Sequence, residues 1–207
     1  MKIICIGRNY ADHARELKNA IPSHPLVFMK PATALLVQGK DFYYPEFTEE
    51  LHYECELVLK IAKHGRHIQS EFAMDYVEEV ALGIDFTARD VQQRCKEKGH
   101  PWEIAKGFDG SAPISAFVPI SELPDLGNVQ FNLTKNGTEV QYGQTKDLLF
   151  DFTALIVYVS RYFRLLKGDY LFTGTPAGVG PVQRGDQLRG NLKTKQGWQE
   201  LLRCNVK

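Results

Sequence analysis

Residues 51–60 read LHYECELVLK. Side chains alternate along an extended strand, so His52, Glu54 and Glu56 share one face, and Tyr53, Cys55, Leu57 and Leu59 share the other, apolar one. Two carboxylates this close repel each other and are costly to remove from water. A third carboxylate, Asp85, stands between Ile84 and Phe86 in GIDFTARD, again at a strand position expected to be half buried. Two readings compete. In one, the glutamates are charges on a solvated strand face and Asp85 caps a helix. In the other, Glu54, Glu56 and Asp85 hold one hard divalent cation. Oxygen-only donors suit Mg2+, Mn2+ or Ca2+ rather than Zn2+. The cation would cancel the repulsion, and three protein ligands would leave coordination positions open for water and substrate.

A second constellation lies in NYADHAREL, where His13 and Glu16 are three apart and share one face of a helix. Such a pair is ordinary on a surface. It is also what a general base requires, because the carboxylate raises the basicity of the imidazole and fixes its tautomer. Lys30, Arg89 and Lys106 are candidate anion binders, and Gln92 and Thr175 add weaker polar signals. None of these five stands out alone. TGTPAGVG, residues 173–180, sets three glycines in a turn but lacks the GxxxxGK[ST] order of a phosphate loop.

The elements that must position these residues are mostly strands, with a few short helices among them. Strands are expected over 2–6, over 25–31 up to Pro31, through ALLVQG and DFYYPE into 51–60, and over 77–88. A helix over 9–17 begins near Asn9 or Asp12, and a helical turn covers QSEFAMDY. A helix over 89–99 is stopped by Gly99 and Pro101. Residues 129–143 form a hairpin turning at Asn136-Gly137. A buried helix over 151–165 precedes the strand GDYLFTGTP, and a last hairpin turns at Gln196-Gly197. Strands joined by hairpins outnumber helices, which predicts a β-rich α+β domain. The pattern does not give the topology.

The chain has 207 residues and no internal linker, so a single domain over 1–207 is expected. A chain of this length buries roughly 70% of the surface its unfolded form exposes and needs no disulfide or structural metal to fold. Lys plus Arg and Asp plus Glu both number 25, and no basic stripe points to nucleic acid. Cys5, Cys55, Cys95 and Cys204 are scattered without a CxxC pair, so neither zinc nor redox chemistry is indicated. MKIICIGRNY enters a strand at once and carries no signal-peptide pattern, and FTALIVYVS is too short to span a bilayer. The expectation is a cytoplasmic protein without a membrane partner.

Together the pieces resemble the fumarylacetoacetate hydrolase superfamily, in particular its small single-domain branch of acylpyruvases and oxaloacetate decarboxylases. The stretches that carry the likeness are GRNYADHAREL, FMKP, HYECEL, AMDYV, DFTARDVQ, PWEIAKGFD, PISAFVP and GDYLFTGTPAGVGPV, in family order over nearly the whole chain. The resemblance implies a curled mixed β-sheet roll around a central site. It implies one Mg2+ or Mn2+ per chain on Glu54, Glu56 and Asp85, with His13, Glu16 and Lys106 as catalytic groups. Arg8, Lys30, Arg89, Gln92 and Thr175 fall at positions that look like substrate contacts. The implied activity is metal-dependent cleavage of a C–C bond in acylpyruvates, which are 2,4-dioxo acids, with oxaloacetate decarboxylation as a second reaction of the same site. Isomerisation of a related 2-oxo acid is an alternative, as is a metal-stabilised binding protein with a decayed site. A homodimer is implied as well. Gly107 and Asp109, beside Lys106, depart from the family pattern.

Overall fold

In the computed structural model, residues 1–16, 20–37 and 39–207 are described. Among these residues, the main sheet has eight strands. In spatial order they are Leu26–Lys30, Ile3–Gly7, Tyr170–Phe172, Cys55–Ile61, Val77–Ile84, Ala112–Ile114 and Leu35–Val37, with Val118–Pro119 pairing to the side of Val77–Ile84. Ile3–Gly7 runs parallel to Tyr170–Phe172, and Leu35–Val37 parallel to Ala112–Ile114, while the other pairs are antiparallel. A second, antiparallel sheet is built from the two hairpins: Thr138–Gln144, Gln130–Lys135, Gln187–Thr194 and Gly197–Asn205. A small third sheet joins Gly180–Pro181, Leu51–Tyr53 and Thr87–Ala88. The result is a mixed, β-rich α+β fold.

Among the described residues, four α-helices accompany the sheets: α1 (Ala11–Glu16), α2 (Arg89–Lys98), α3 (Glu103–Lys106) and α4 (Phe152–Tyr162). Helix α2 ends at Gly99, whose φ of 66° is the left-handed conformation that glycine adopts without strain. Helix α4 is capped by the Asp151 carboxylate, which accepts the Ala154 N–H at 2.8 Å. Phe152, Leu155, Ile156 and Val159 from α4 join the principal core, together with Leu57, Leu59, Leu82, Phe131 and Leu192 from both large sheets. Among the described residues, no helix is long and apolar enough to cross a membrane.

Several expectations need correction. The 51–60 strand is two strands, Leu51–Tyr53 and Cys55–Ile61, which belong to different sheets and break at Glu54. The 77–88 strand breaks likewise at Asp85 and Phe86. DFYYPE is mostly loop, touching the sheets through one bridge from Phe42 to Val206. Helix α4 is amphipathic rather than wholly buried, since Tyr162 is exposed. Asn9 does not cap α1. Its amide donates to Phe150 O and Thr173 O and accepts the Phe150 N–H, pinning the chain in front of the helix. Leu17, in the expected 9–17 helix, lies outside the described residues.

Candidate active site

The two strand breaks coincide. Cys55 pairs with Ile84 on one side and His52 with Thr87 on the other, so the antiparallel register runs on through the gap. Glu54 therefore stands opposite Asp85, whose N–H donates to Glu54 O at 2.8 Å. Directly opposed residues share a face, and Glu56 lies two positions along on the same face. Its own cross-strand partner is Gly83, which adds no side chain beside it. A Cβ at Gly83 would come within 2.5 Å of the Phe172 ring, so glycine is needed for close packing there. Carboxylate oxygens of Glu54, Glu56 and Asp85 lie within 4.8 Å of one another, and all three residues are buried.

Two lysines reach this cluster. Lys106, on the short helix α3, donates to Glu54 Oε2 at 2.9 Å and to Asp85 Oδ2 at 2.6 Å. Lys30 Nζ lies 2.7 Å from Asp85 Oδ1, and Phe86 O, Ser111 O, Ser111 Oγ and Lys106 O also lie within its hydrogen-bonding reach. Arg89, at the start of α2, donates to Glu54 Oε1 at 2.5 Å and to Gln92 Oε1 at 2.9 Å. Among the described residues, Glu56 receives only a backbone group, the Gly174 N–H at 2.7 Å. Gly174 has φ 103°, and a Cβ there would meet Asn9 Cβ at 2.7 Å, so only glycine brings that N–H to the carboxylate.

These contacts divide the carboxylates. Burial alone would raise Glu54, but Lys106 and Arg89 outweigh it and hold Glu54 well below the usual carboxylate range. Burial and then repulsion by Asp85 and Glu54 push Glu56 well above that range. Lys106 is raised, because Asp85 and Glu54 overcome the burial that would lower it. The cluster thus holds a carboxylate that its surroundings do not fully neutralise. Asp85 Oδ1 is buried without an aligned hydrogen bond, despite the nearby Lys30 ammonium. An all-oxygen donor set with an unaligned acceptor and an uncompensated carboxylate fits a hard divalent cation.

His13 lies beside this cluster, buried, with Nδ1 3.6 Å from Glu16 Oε2. That is ion-pair range but longer than a hydrogen bond, and among the described residues Nδ1 has no other partner. Burial first, then Arg89 and Lys106, lower the His13 pKa against the opposing pull of Glu54 and Glu16. Both Glu16 carboxylate oxygens also face the Gly178 N–H, at 3.2 and 3.1 Å, which ties α1 to the TGTPAGVG turn.

A cleft lined by Arg8, His13, Glu54, Arg89, Gln92 and Lys106 opens onto the cluster. Of the residues expected to contact substrate, Arg8, Arg89 and Gln92 line it. Lys30 and Thr175 stand behind it instead. Lys30 supports Asp85, and the Thr175 hydroxyl donates to Cys55 O while accepting from Gln141. Lys96 and Trp102 also line the cleft and were not anticipated. The signal for Lys96 is the 89/92/96 spacing, one face of a helix. Gln141, which accepts the Cys55 N–H at 2.9 Å next to Glu54, carries no local signal, because its strand reads as an ordinary hairpin arm.

The fold agrees with comparison to known proteins. The chain belongs to the fumarylacetoacetate hydrolase family, whose model, "Fumarylacetoacetate (FAA) hydrolase C-terminal", matches residues 2–200. It is similar to oxaloacetate tautomerase FAHD1, mitochondrial, of Bos taurus, with 46% identity over 92% of this chain and 86% of the relative. It is 43% identical to the mitochondrial oxaloacetate decarboxylase of Dictyostelium discoideum, over 91% of this chain and 87% of that one. Among solved structures, fumarylpyruvate hydrolase from Pseudomonas aeruginosa in complex with Mn2+ and pyruvate superposes with a TM-score of 0.90 and 38% identity, covering 100% of this chain and 90% of that one.

Proposed function

We propose that this protein is a divalent-metal-dependent enzyme that generates the enolate of a 2-oxo acid carrying a second carbonyl group at C4. The observation that carries the reading is the buried Glu54–Glu56–Asp85 cluster with His13 and Glu16 beside it. Glu54, Glu56 and Asp85 would hold Mg2+ or Mn2+, a Lewis acid for the charge that develops on the enolate oxygen. Glu16 faces His13 Nδ1 and favours the proton there, which leaves Nε2 as the free base. A lowered His13 pKa keeps the imidazole neutral and able to accept a proton near neutral pH. Lys106 and Arg89 offset the buried negative charge and, with Gln92, present donors to a carboxylate in the cleft. Lys30 fixes Asp85 from behind, and Thr175 fixes the strand that carries Glu54 and Glu56.

With oxaloacetate, proton transfer at C3 gives keto–enol exchange, and loss of the C4 carboxylate as CO2 gives decarboxylation. The names of the two relatives favour this pair of reactions. With an acylpyruvate, His13 would instead deprotonate a water that attacks C4, releasing a carboxylic acid and the pyruvate enolate. The fumarylpyruvate hydrolase likeness favours that second reading. The working unit is proposed to be a homodimer. The proposed compartment is the reducing cytoplasm, consistent with four free, buried cysteines, although both relatives are mitochondrial by name. The deciding experiment follows oxaloacetate and acetylpyruvate by product analysis with Mg2+, with Mn2+ and with a chelator. Metal-dependent turnover of either substrate is expected, and equal rates in the chelator would refute the assignment.

A further inference from the structure

Lys96 is a half-buried cation that the chemistry above does not use. It follows Arg89 and Gln92 on α2 at spacings that put all three on one face, and all three line the same cleft. Its ammonium sits 5.7 Å over the Trp102 ring. Arg8 lines the cleft too, and its backbone holds φ 59°, a conformation uncommon for any residue but glycine, asparagine and aspartate. The neighbouring Asn9, pinned by its three hydrogen bonds, leaves the chain little freedom to relax there. Strain of this kind persists only where its surroundings impose it, and it clusters at binding sites. Arg89 and Lys106 both pair with Glu54. Among the described residues, neither Arg8 nor Lys96 has a carboxylate in ion-pair range. Burial and then the like charges of Arg89 and Arg8 lower the Lys96 pKa, as expected of cations gathered without a counter-ion.

We propose that Arg8 and Lys96 form a second anion subsite in the cleft, which receives the carboxylate at the far end of a 2-oxo acid whose oxo-acid end lies at the Glu54–Glu56–Asp85 cluster. The inference rests on the proposed function and adds a rule of specificity to it. Leu26, Phe28 and Trp102 supply the apolar wall along which the chain between the two ends would lie. Substrates that end in a second carboxylate are then preferred to those that end in a methyl group.

Two stable probes separate the ends. N-Oxalylglycine and N-methyloxamate share the oxalyl head, and only the first carries a distal carboxylate. Both are titrated calorimetrically into Mn2+-loaded wild type, Lys96→Met, Lys96→Arg and Arg8→Asn. Asparagine tolerates the left-handed backbone at position 8, and methionine keeps most of the Lys96 stem. The expected result is at least tenfold weaker N-oxalylglycine binding in Lys96→Met and in Arg8→Asn, restoration in Lys96→Arg, and N-methyloxamate affinity unchanged within about twofold. If Arg8→Asn does not fold, Lys96→Met decides. Equal wild-type affinity for the two probes, or parallel losses for both in Lys96→Met, would overturn the subsite alone. Failure of wild type to bind N-methyloxamate at all would overturn the 2-oxo acid reading beneath it.

Discussion

At the scale of single residues, His13 is the group whose role can be measured most directly. General-base help contributes about 10²–10⁴-fold. His13→Ala is expected to slow acetylpyruvate hydrolysis by roughly that factor. Oxaloacetate decarboxylation should fall less, because it requires no activated water. Initial rates on both substrates at saturating Mg2+ check this, and an unchanged hydrolysis rate would remove His13 as the base. Cys204 gives a pH prediction. Burial pushes its thiol up to about 12, against about 8.5 for a free cysteine. The native thiol keeps its proton where the unfolded one loses it, so its stabilising contribution is complete below about pH 8.5 and is lost as pH rises towards the folded value. In that window each such thiol steepens the loss of stability by about 1.4 kcal/mol per pH unit. Cys204→Ala should flatten the decline in urea-unfolding free energy between pH 9 and 11, and an unchanged slope would contradict it. At this scale the sequence was informative where side-chain direction alone mattered. Alternation put Glu54 and Glu56 on one face, and helical spacing put His13 beside Glu16. For Lys96 it offered only the helical 89/92/96 spacing, which does not separate a cleft residue from an ordinary solvated charge.

The level of elements is where reading from sequence fell short, and the cause is physical. Residues 51–60 and 77–88 keep a strand pattern throughout, because both sheets they join are buried on the relevant faces. A switch from one sheet to another changes hydrogen-bond partners without changing side-chain alternation, so the breaks at Glu54 and Asp85 leave no local mark. Turns with glycine-dependent geometry were clear by contrast: Asn136 and Gly137 have φ 52° and 85°, as a two-residue hairpin turn needs. Gly178 belongs to this class but serves α1. Its φ is 94°, and a Cβ there would lie 2.2 Å from Val140 O. Gly178→Ala should therefore destabilise the fold by roughly 1–3 kcal/mol and displace the N–H that faces Glu16. Urea unfolding together with kcat/KM on oxaloacetate tests both parts. Wild-type values for the two would show that the turn does not fasten α1.

For the molecule as a whole, Phe47 and Ile104 are 50% and 67% exposed and border an open groove with Val91 and Phe108. Apolar surface of this kind fits the proposed homodimer. Light scattering at micromolar concentration should give twice the 23.5 kDa of one chain, and a value of one chain would reject it. Lys106 bears on the molecule's folding as well as on its chemistry. Its ammonium already bridges Glu54 and Asp85, the two carboxylates that face each other across the sheet switch. Removing one partner of a buried ion pair typically costs about 3–5 kcal/mol. Lys106→Met should therefore lower the melting temperature sharply in a chelator and recover much of it in saturating Mn2+, whereas wild type should change far less between the two. Equal melting shifts in both proteins would disprove the idea. If the proposed metal dependence holds, a newly made chain with this built-in counter-charge would fold before any ion arrives, and its maturation into a working enzyme would then wait on the cell's supply of divalent ions.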